Sequence, residues 1–363
     1  MTLILTVIVV ALMFEYINGF HDTANSIATV VSTKVLTPRQ AVVLAASTNL
    51  VGALWGTAVA KTIASGLVDS RIVTQEVLIC ALLGAIVWNL ATWYWGLPSS
   101  SSHALIGGLV GASVAAANGW HVVIWSVPDK AHWYQGKGLL WKVVVPMFSS
   151  PLAGFALGFL IMGLLYLLLR NWKPRWVNSV FGRAQMISAA GMGFMHGTND
   201  AQKTMGIVAL ALAAGTADGQ LTDLPPWLQF LHTPPAAPGQ DLEIALWIKI
   251  VCAVVMAAGT AAGGWRIIKT LGHKMVRLQP VHGFAAETTS AAVIGLASHF
   301  GVPVSTTHII SSAIMGVGAA KRFNALRWTV IEKMIWAWIL TIPICGVIAY
   351  FLMRMVNALG ASA

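Results

Sequence analysis

Charge is what this 363-residue chain has least of: Asp, Glu, Lys and Arg together make up 9% of it, and only 12 residues are acidic. A soluble domain carries about 25% charged residues, so this supply is too thin for a water-exposed surface. Hydrophobic residues reach 57%, mean hydropathy is +0.75, and 34 glycines lie among apolar runs. That composition reads as an all-α polytopic membrane protein. The net charge of +10 sits in a few short connections, where it serves orientation in a lipid bilayer, and no nucleic-acid partner is expected. Cysteine is scarce too. Cys80, Cys252 and Cys345 lie in apolar segments without metal-ligand spacing, which excludes a disulfide framework. No Lys or Arg occurs from Thr2 to Thr33. Lacking a basic n-region and a small-residue cleavage site, the first segment reads as a retained span.

Against that background the stretch Asn18 to Ser26 stands out. From Thr2 to Thr33 the only ionisable side chains are Glu15, Tyr16, His21 and Asp22. An Asp at the centre of a span costs about 2.5 to 3.5 kcal/mol on insertion scales, so a carboxylate there points to function. The segment also exceeds the roughly 20 residues of a perpendicular span. A break in the helix is expected at Asn18-Gly19 through Asn25, where helix propensity is weakest.

Further along, an apolar run from 41 to 64 is followed by a polar link around Asp69, Arg71 and Glu76. A run from 77 to 97 meets Pro98-Ser-Ser-Ser-Ser-His103, after which small residues continue to Ala117, a pattern suited to a polar-tipped hairpin. Residues 118–142 form a connection whose Trp120, Trp125, Trp133 and Trp141 suit a membrane-surface belt. A span over 143–169 ends in Arg170, Lys173, Arg175 and Arg183. Then the pattern returns. A span over 185–214 contains His196-Gly-Thr-Asn-Asp-Ala-Gln-Lys203, and Phe284 to His299 leads into Pro303-Val-Ser-Thr-Thr-His308. At an offset of 178, Asp22 falls on Asp200 and Asn25 on Lys203; at an offset of 205, Ser100 to His103 fall on Ser305 to His308. Two motifs recurring in one order indicate an internal repeat, 1–183 and 184–363, with the extra length of the second half in the link 216–243.

That link holds Asp218, Asp223, Asp241 and Glu243 and no Lys or Arg, so it is assigned outside. Lys34 and Arg39, the 170–183 and 266–277 clusters and Lys321 to Arg327 are assigned inside. The two motif-bearing spans then run in opposite directions, both termini lie outside, and the halves are inverted repeats with interrupted helices. That is an architecture of secondary transporters, which place their site between the halves.

Hydroxyls at an elbow, exposed N–H groups where a helix restarts after Pro98 or Pro303, and a nearby Lys203 suit an anion with several oxygens. Asp22 and Asp200 repel an anion unless a proton or a metal cation neutralises them, so the residues point to coupled cation and anion movement. His21 brings an imidazole, the side chain that changes charge between pH 5 and 8. Glu287 faces Leu82 in the repeat and breaks its symmetry, which makes it a candidate ion ligand.

The four motifs, Gly19-Phe-His-Asp-Thr-Ala-Asn25, His196 to Lys203, Pro98 to His103 and Pro303 to His308, closely resemble the signatures of the inorganic phosphate transporter (PiT) family. The resemblance covers nearly the whole chain apart from the Trp-rich connection, the external link and the ends. It implies a symporter of the cell (inner) membrane that carries inorganic phosphate with H⁺ or Na⁺, and in bacterial members often as a neutral complex with a divalent metal. On this chain the implied phosphate-binding residues are Asp22, Asn25, Ser101, Ser102, Asp200, Gln202, Lys203, Ser305, Thr306 and Thr307, with Asp22, Asn199 and Asp200 for the coupling ion, to which His21 is added for its imidazole and Glu287 for its break of the repeat. Many members have Asn where this chain has His21, and the His form resembles the proton-coupled bacterial branch. No cofactor and no dedicated metal site are expected, the coupling ion and any phosphate-bound metal being cargo. A homodimer is left open.

Other readings stand beside these. Asp22 could cap a helix restarting at Thr23, the Ser100 to Ser102 run could serve small-residue packing, Lys203 could snorkel to an interface, and His103 and His308 could hold the elbows by hydrogen bonds. At the level of function the alternatives are Na⁺ coupling, another tetrahedral oxyanion, a channel or an intramembrane hydrolase. A channel would want a continuous polar lining. A hydrolase needs one distinguished nucleophile, whereas this chain supplies two equivalent Ser/Thr-His elbows.

Overall fold

The computed structural model describes residues 1–128, 136–222, 224–234 and 242–360. Trp133, Asp223 and Asp241, assigned above to the aromatic belt and the external link, lie outside the described residues. Among those described, structure is helical apart from two isolated bridges, Val68 with Val123 and Val127 with Lys137.

Element order repeats along the chain. The first series is α1 (Thr2–Ser32), the pair α2 (Pro38–Ala53) and α3 (Ala58–Ser65), α4 (Gln75–Trp95), α5 (Ser101–Ala117) and α6 (Val145–Leu169). The second is α7 (Pro174–Ala217), the pair α8 (Leu246–Ala262) and α9 (Trp265–Lys269), α10 (Pro280–His299), α11 (Thr306–Lys321) and α12 (Trp328–Gly360). Helices α1, α4 and α12 and the stretch Leu140–Leu169 containing α6 are long and apolar enough to cross a membrane. Each bent pair passes the same test as one broken span, with bends of 70° and 59°. The chain is a multi-pass membrane protein.

Packing is reciprocal between the two series: α1 lies on α8 and α7 on α2, while α6 lies on α11 and α12 on α5. Glycine permits the first of these contacts. A Cβ on Gly19 would come within 2.5 Å of Met256 O, and one on Gly259 within 2.2 Å of Tyr16 O, so the two backbones touch where neither has a side chain. Helix α1 also divides the core. Its residues from Ile4 to Ile17 join one apolar cluster with α4, α5 and α8, and those from Ala24 to Val30 join a second with α10 and α11. The polar motif sits at the waist between them.

The break expected inside the first motif is absent. Helix α1 runs unbroken for 31 residues and α7 for 44, about 46 Å and 66 Å at 1.5 Å per residue. Weak propensity is overridden because Asn18, Asp22 and Asn25 are buried against other helices, where packing decides. Thr23 Oγ1 donates to Gly19 O at 2.7 Å and to Thr260 O at 3.2 Å, tying the helix to itself and to α8. Asp22 is therefore not an N-cap. The interruptions fall elsewhere. The apolar run 41–64 is split at Gly56, whose φ is +82°, the α8–α9 junction turns at Gly263, with φ +73°, and the two elbows separate α4 from α5 and α10 from α11.

Candidate functional site

Each elbow ends in a capped helix. Ser100 Oγ accepts from His103 N at 3.1 Å at the start of α5, and Ser305 Oγ accepts from His308 N at 3.2 Å at the start of α11. These caps leave Ser101, Ser102, Thr306 and Thr307 on the first turns, where backbone N–H groups favour an anion. The two tips meet. Ser102 Oγ donates to Val304 O at 3.2 Å, and the rings of His103 and His308 pack edge to face at 4.8 Å. His308 further stacks on Trp338, whose Nε1 donates to Pro98 O at 3.1 Å. His103 Nδ1 and both ring nitrogens of His308 have no hydrogen-bond partner among the described residues, so the imidazoles wedge the elbows together through ring contacts.

Asp22 and Asp200 come to these tips from α1 and α7. Asp22 accepts from Ser101 Oγ at 3.2 Å and from Thr307 Oγ1 at 3.4 Å, with His21 Nδ1 2.7 Å away. His21 Nε2 lies 3.1 Å from Thr92 Oγ1 on α4, so the imidazole is held at both nitrogens. Asp200 accepts from Thr306 Oγ1 at 2.9 Å and pairs with Lys203 and, at 3.0 Å, with His196 Nε2. Lys203 Nζ also donates to Ser102 Oγ and, at 3.1 Å, to Val304 O, so one ammonium joins α7 to both elbows. Asn25 Nδ2 completes the set by donating to Thr306 Oγ1 at 3.2 Å and Thr307 Oγ1 at 2.9 Å. Asp22, Asp200 and Lys203 are each no more than 2% exposed. A buried lysine engaged in this way is not snorkelling.

Ligand atoms of Asp22, His196 and Asp200 lie within 4.8 Å of one another and could hold a cation. The sequence assigned no such dedicated group. His196 appears in the sequence only as the first residue of its motif, with no role assigned to it. The usable signal was its position four residues before Asp200, on the same helical face.

Of the expected site residues, Asp22, Asn25, Ser101, Ser102, Asp200, Lys203, Thr306 and Thr307 converge, with His21 behind Asp22 and Ser305 as the α11 cap. Three stand apart. Gln202 Oε1 accepts from Val59 N at 2.8 Å and Ala60 N at 3.3 Å, and its Nε2 donates to Thr198 O and Trp55 O, so it splices the α2–α3 break. Asn199 Nδ2 donates to Ser298 Oγ at 2.8 Å, on the approach to the second elbow. Glu287 accepts from Thr29 Oγ1, Ser188 Oγ and Gln185 Nε2, seven residues along α1 from Asp22, or about 10 Å.

The family model described as the phosphate transporter family, PHO4, matches residues 18–349, which takes in every residue of this cluster. The chain belongs to that family. The resemblance to PiT signatures is borne out, and with it the reading of a transporter rather than an enzyme. A protein of Bacillus subtilis (strain 168), described as "probable low-affinity inorganic phosphate transporter", is 43% identical over 361 residues, which are 98% of each chain. A protein of Rhizobium meliloti (strain 1021) with the same description is 42% identical, covering 96% of this chain and 94% of its own. A solved structure, "The sodium-dependent phosphate transporter", superposes with a TM-score of 0.75 at 23% identity, covering 99% of this chain and 100% of that one, and establishes the likeness of fold. The hydroxyls of the two elbows converge on Asp22 and Asp200, with Ser101 and Thr307 on the first carboxylate and Thr306 on the second.

Proposed function

We propose that this family member imports inorganic phosphate, free or as a metal complex, together with protons, by alternating access of two inverted halves in the cell (inner) membrane with both termini outside. The observation that carries the reading is Lys203, a buried ammonium that bridges Asp200 to the tips of both elbows. Phosphate bound there takes over donors now engaged by the carboxylates, the ammonium and the hydroxyls of Ser101, Thr306 and Thr307, together with the Ser102 hydroxyl, now on Val304 O, and the first-turn N–H groups. Asn199 and Gln202 take part by fixing an elbow and the α2–α3 break. The reciprocal packing of the two series supports inversion, because each half's motif helix rests on the bent pair of the other half.

Proton coupling is favoured by what surrounds the carboxylates. The basic groups beside Asp22 and Asp200 are His21, His196 and Lys203, all supplied by the chain, and the imidazoles can carry the proton. Sodium coupling is the second reading, favoured by the convergence of Asp22, His196 and Asp200. Radiolabelled phosphate uptake into proteoliposomes, with pH and Na⁺ gradients imposed separately, decides between them. Stimulation by an acidic outside alone supports the first, stimulation by Na⁺ alone the second, and no uptake under either removes phosphate as the cargo.

A further inference from the structure

Glu15, Asn18, Asp22, Asn25 and Thr29 follow one another at three- and four-residue steps, so they share one face of α1. All five are buried. The central site uses Asp22 and Asn25, and Thr29 donates to Glu287 on one side of it. Glu15 lies seven residues from Asp22 on the other side, the same step of about 10 Å along the axis. The site is thus flanked by two buried carboxylates, each reached by a threonine of a neighbouring helix: Thr29 for Glu287 and Thr204 for Glu15.

Glu15 has no function in the site described above. Its Oε2 accepts from Thr204 Oγ1, adjacent to Lys203 on α7, while Oε1 has no partner. Asn18, one turn nearer Asp22, has an unpartnered acceptor of its own in Oδ1. The ionisable groups that face Glu15 are Asp200 and Lys203 on α7 and the Cys252 thiol on α8. Lys203 is held by Asp200, Ser102 and Val304, so no cation pairs with Glu15 among the described residues. A buried anion whose donors are only the neutral Thr204 hydroxyl and Asn18 amide is strongly disfavoured. A proton on Oε1 removes the charge and adds a donor between two unpartnered acceptors, Glu15 Oε1 and Asn18 Oδ1.

We propose that Glu15 is a proton-binding residue of the transport cycle, loading on the N-terminal side of the Asp22–Asp200 site and unloading through it. In the topology proposed above that side faces outward, so a proton from outside water adds to Oε1 before the halves close and leaves to inside water after they reopen. This rests on the reading of phosphate import with protons.

The test compares wild type, Glu15→Gln and Glu15→Asp in proteoliposomes, using phosphate exchange at equal pH and net uptake driven by an acidic outside. Wild type is measured first. If it carries no phosphate, the import reading fails whatever Glu15 does, and if it carries phosphate without protons, the Glu15 proposal falls while phosphate transport stands. With both in place, Glu15→Gln, which mimics the protonated carboxyl, is expected to exchange phosphate but to lose at least about tenfold of pH-driven accumulation. Its uptake should no longer vary with outside pH, and Glu15→Asp should restore that dependence. In infrared difference spectra the carbonyl stretch of a protonated carboxyl should vanish in Glu15→Gln. Accumulation by Glu15→Gln with the wild-type pH profile overturns the proposal, as does an equal loss of exchange and accumulation that Glu15→Asp fails to restore.

Discussion

Lys203 on α7 donates to Ser102 at the tip of α5, a contact between residues 101 positions apart that joins the two series of helices. Because the same ammonium holds Asp200, removing it leaves a buried carboxylate with only the His196 imidazole and the Thr306 hydroxyl beside it. Breaking such a pair costs about 3–5 kcal/mol. Lys203→Met, which keeps the length and loses the charge, is expected to lower thermal stability in detergent and to abolish most phosphate uptake. A lost hydrogen bond from a charged donor is worth about 1.5–3 kcal/mol, so any residual uptake should show a half-saturation about 10- to 150-fold higher. Lys203→Met combined with Asp200→Asn should recover stability without recovering uptake. An unchanged half-saturation in Lys203→Met would remove the ammonium from the phosphate site.

Ser101 and Thr306 occupy equivalent places, yet they serve different carboxylates. Ser101 donates to Asp22 and Thr306 to Asp200. If the elbows form one shared site, Ser101→Ala and Thr306→Ala should each reduce uptake, by about tenfold or more for a hydrogen bond to a charged group. Thr306→Ser and Ser101→Thr keep the hydroxyl and should retain most activity. Uptake assays on the four variants check this, and an effect confined to one elbow would make the other a scaffold.

Much of this was legible before the fold. The membrane class, the recurring motifs and both elbows follow from apolar runs interrupted by polar stretches, and the family resemblance implied the eight residues that the structure brings together. What escaped depended on contacts between distant segments. Gln202 lies beside Lys203 in sequence, but it points the other way on α7 and caps the first turn of α3. Glu15 was visible as an ionisable group in a span, yet its separation from Asp22 is a matter of helical rise in an unbroken α1. The expected break itself failed because Gly19, read as a weak point, is the place where α1 touches α8.

That contact gives a prediction about packing alone. Gly259 lies against Tyr16 O, and a methyl group added there would approach to 2.2 Å, closer than backbone atoms allow. Helices α1 and α8 would have to separate. Overpacking of this kind costs about 1–3 kcal/mol, so Gly259→Ala should melt at lower temperature than wild type. Gly163 has nothing within 4 Å of an added Cβ, and Gly163→Ala should melt as wild type does. Equal melting temperatures for the two variants would show that the α1–α8 contact is looser than described.

His21 offers a direct test of the proposed proton coupling. Its Nδ1 lies 2.7 Å from Asp22 Oδ1, and Nε2 is held by Thr92 Oγ1, so the ring cannot swing away without breaking a buried contact on α4. Protonated, it neutralises Asp22 and lets an anion approach; neutral, it leaves the negative charge in place. Proton coupling through His21 therefore predicts uptake that rises as the outside is acidified and falls as pH rises. His21→Asn retains a hydrogen-bonding side chain and loses titration. It should keep measurable phosphate binding while losing at least about tenfold of the stimulation by an acidic outside. Addition of Na⁺ separates the outcomes. If His21→Asn gains Na⁺-dependent uptake, a metal cation has replaced the proton beside Asp22, and the residue at position 21 selects the coupling ion. If it keeps the wild-type pH response, the proton is carried elsewhere, and the imidazole serves only to hold Asp22 in place.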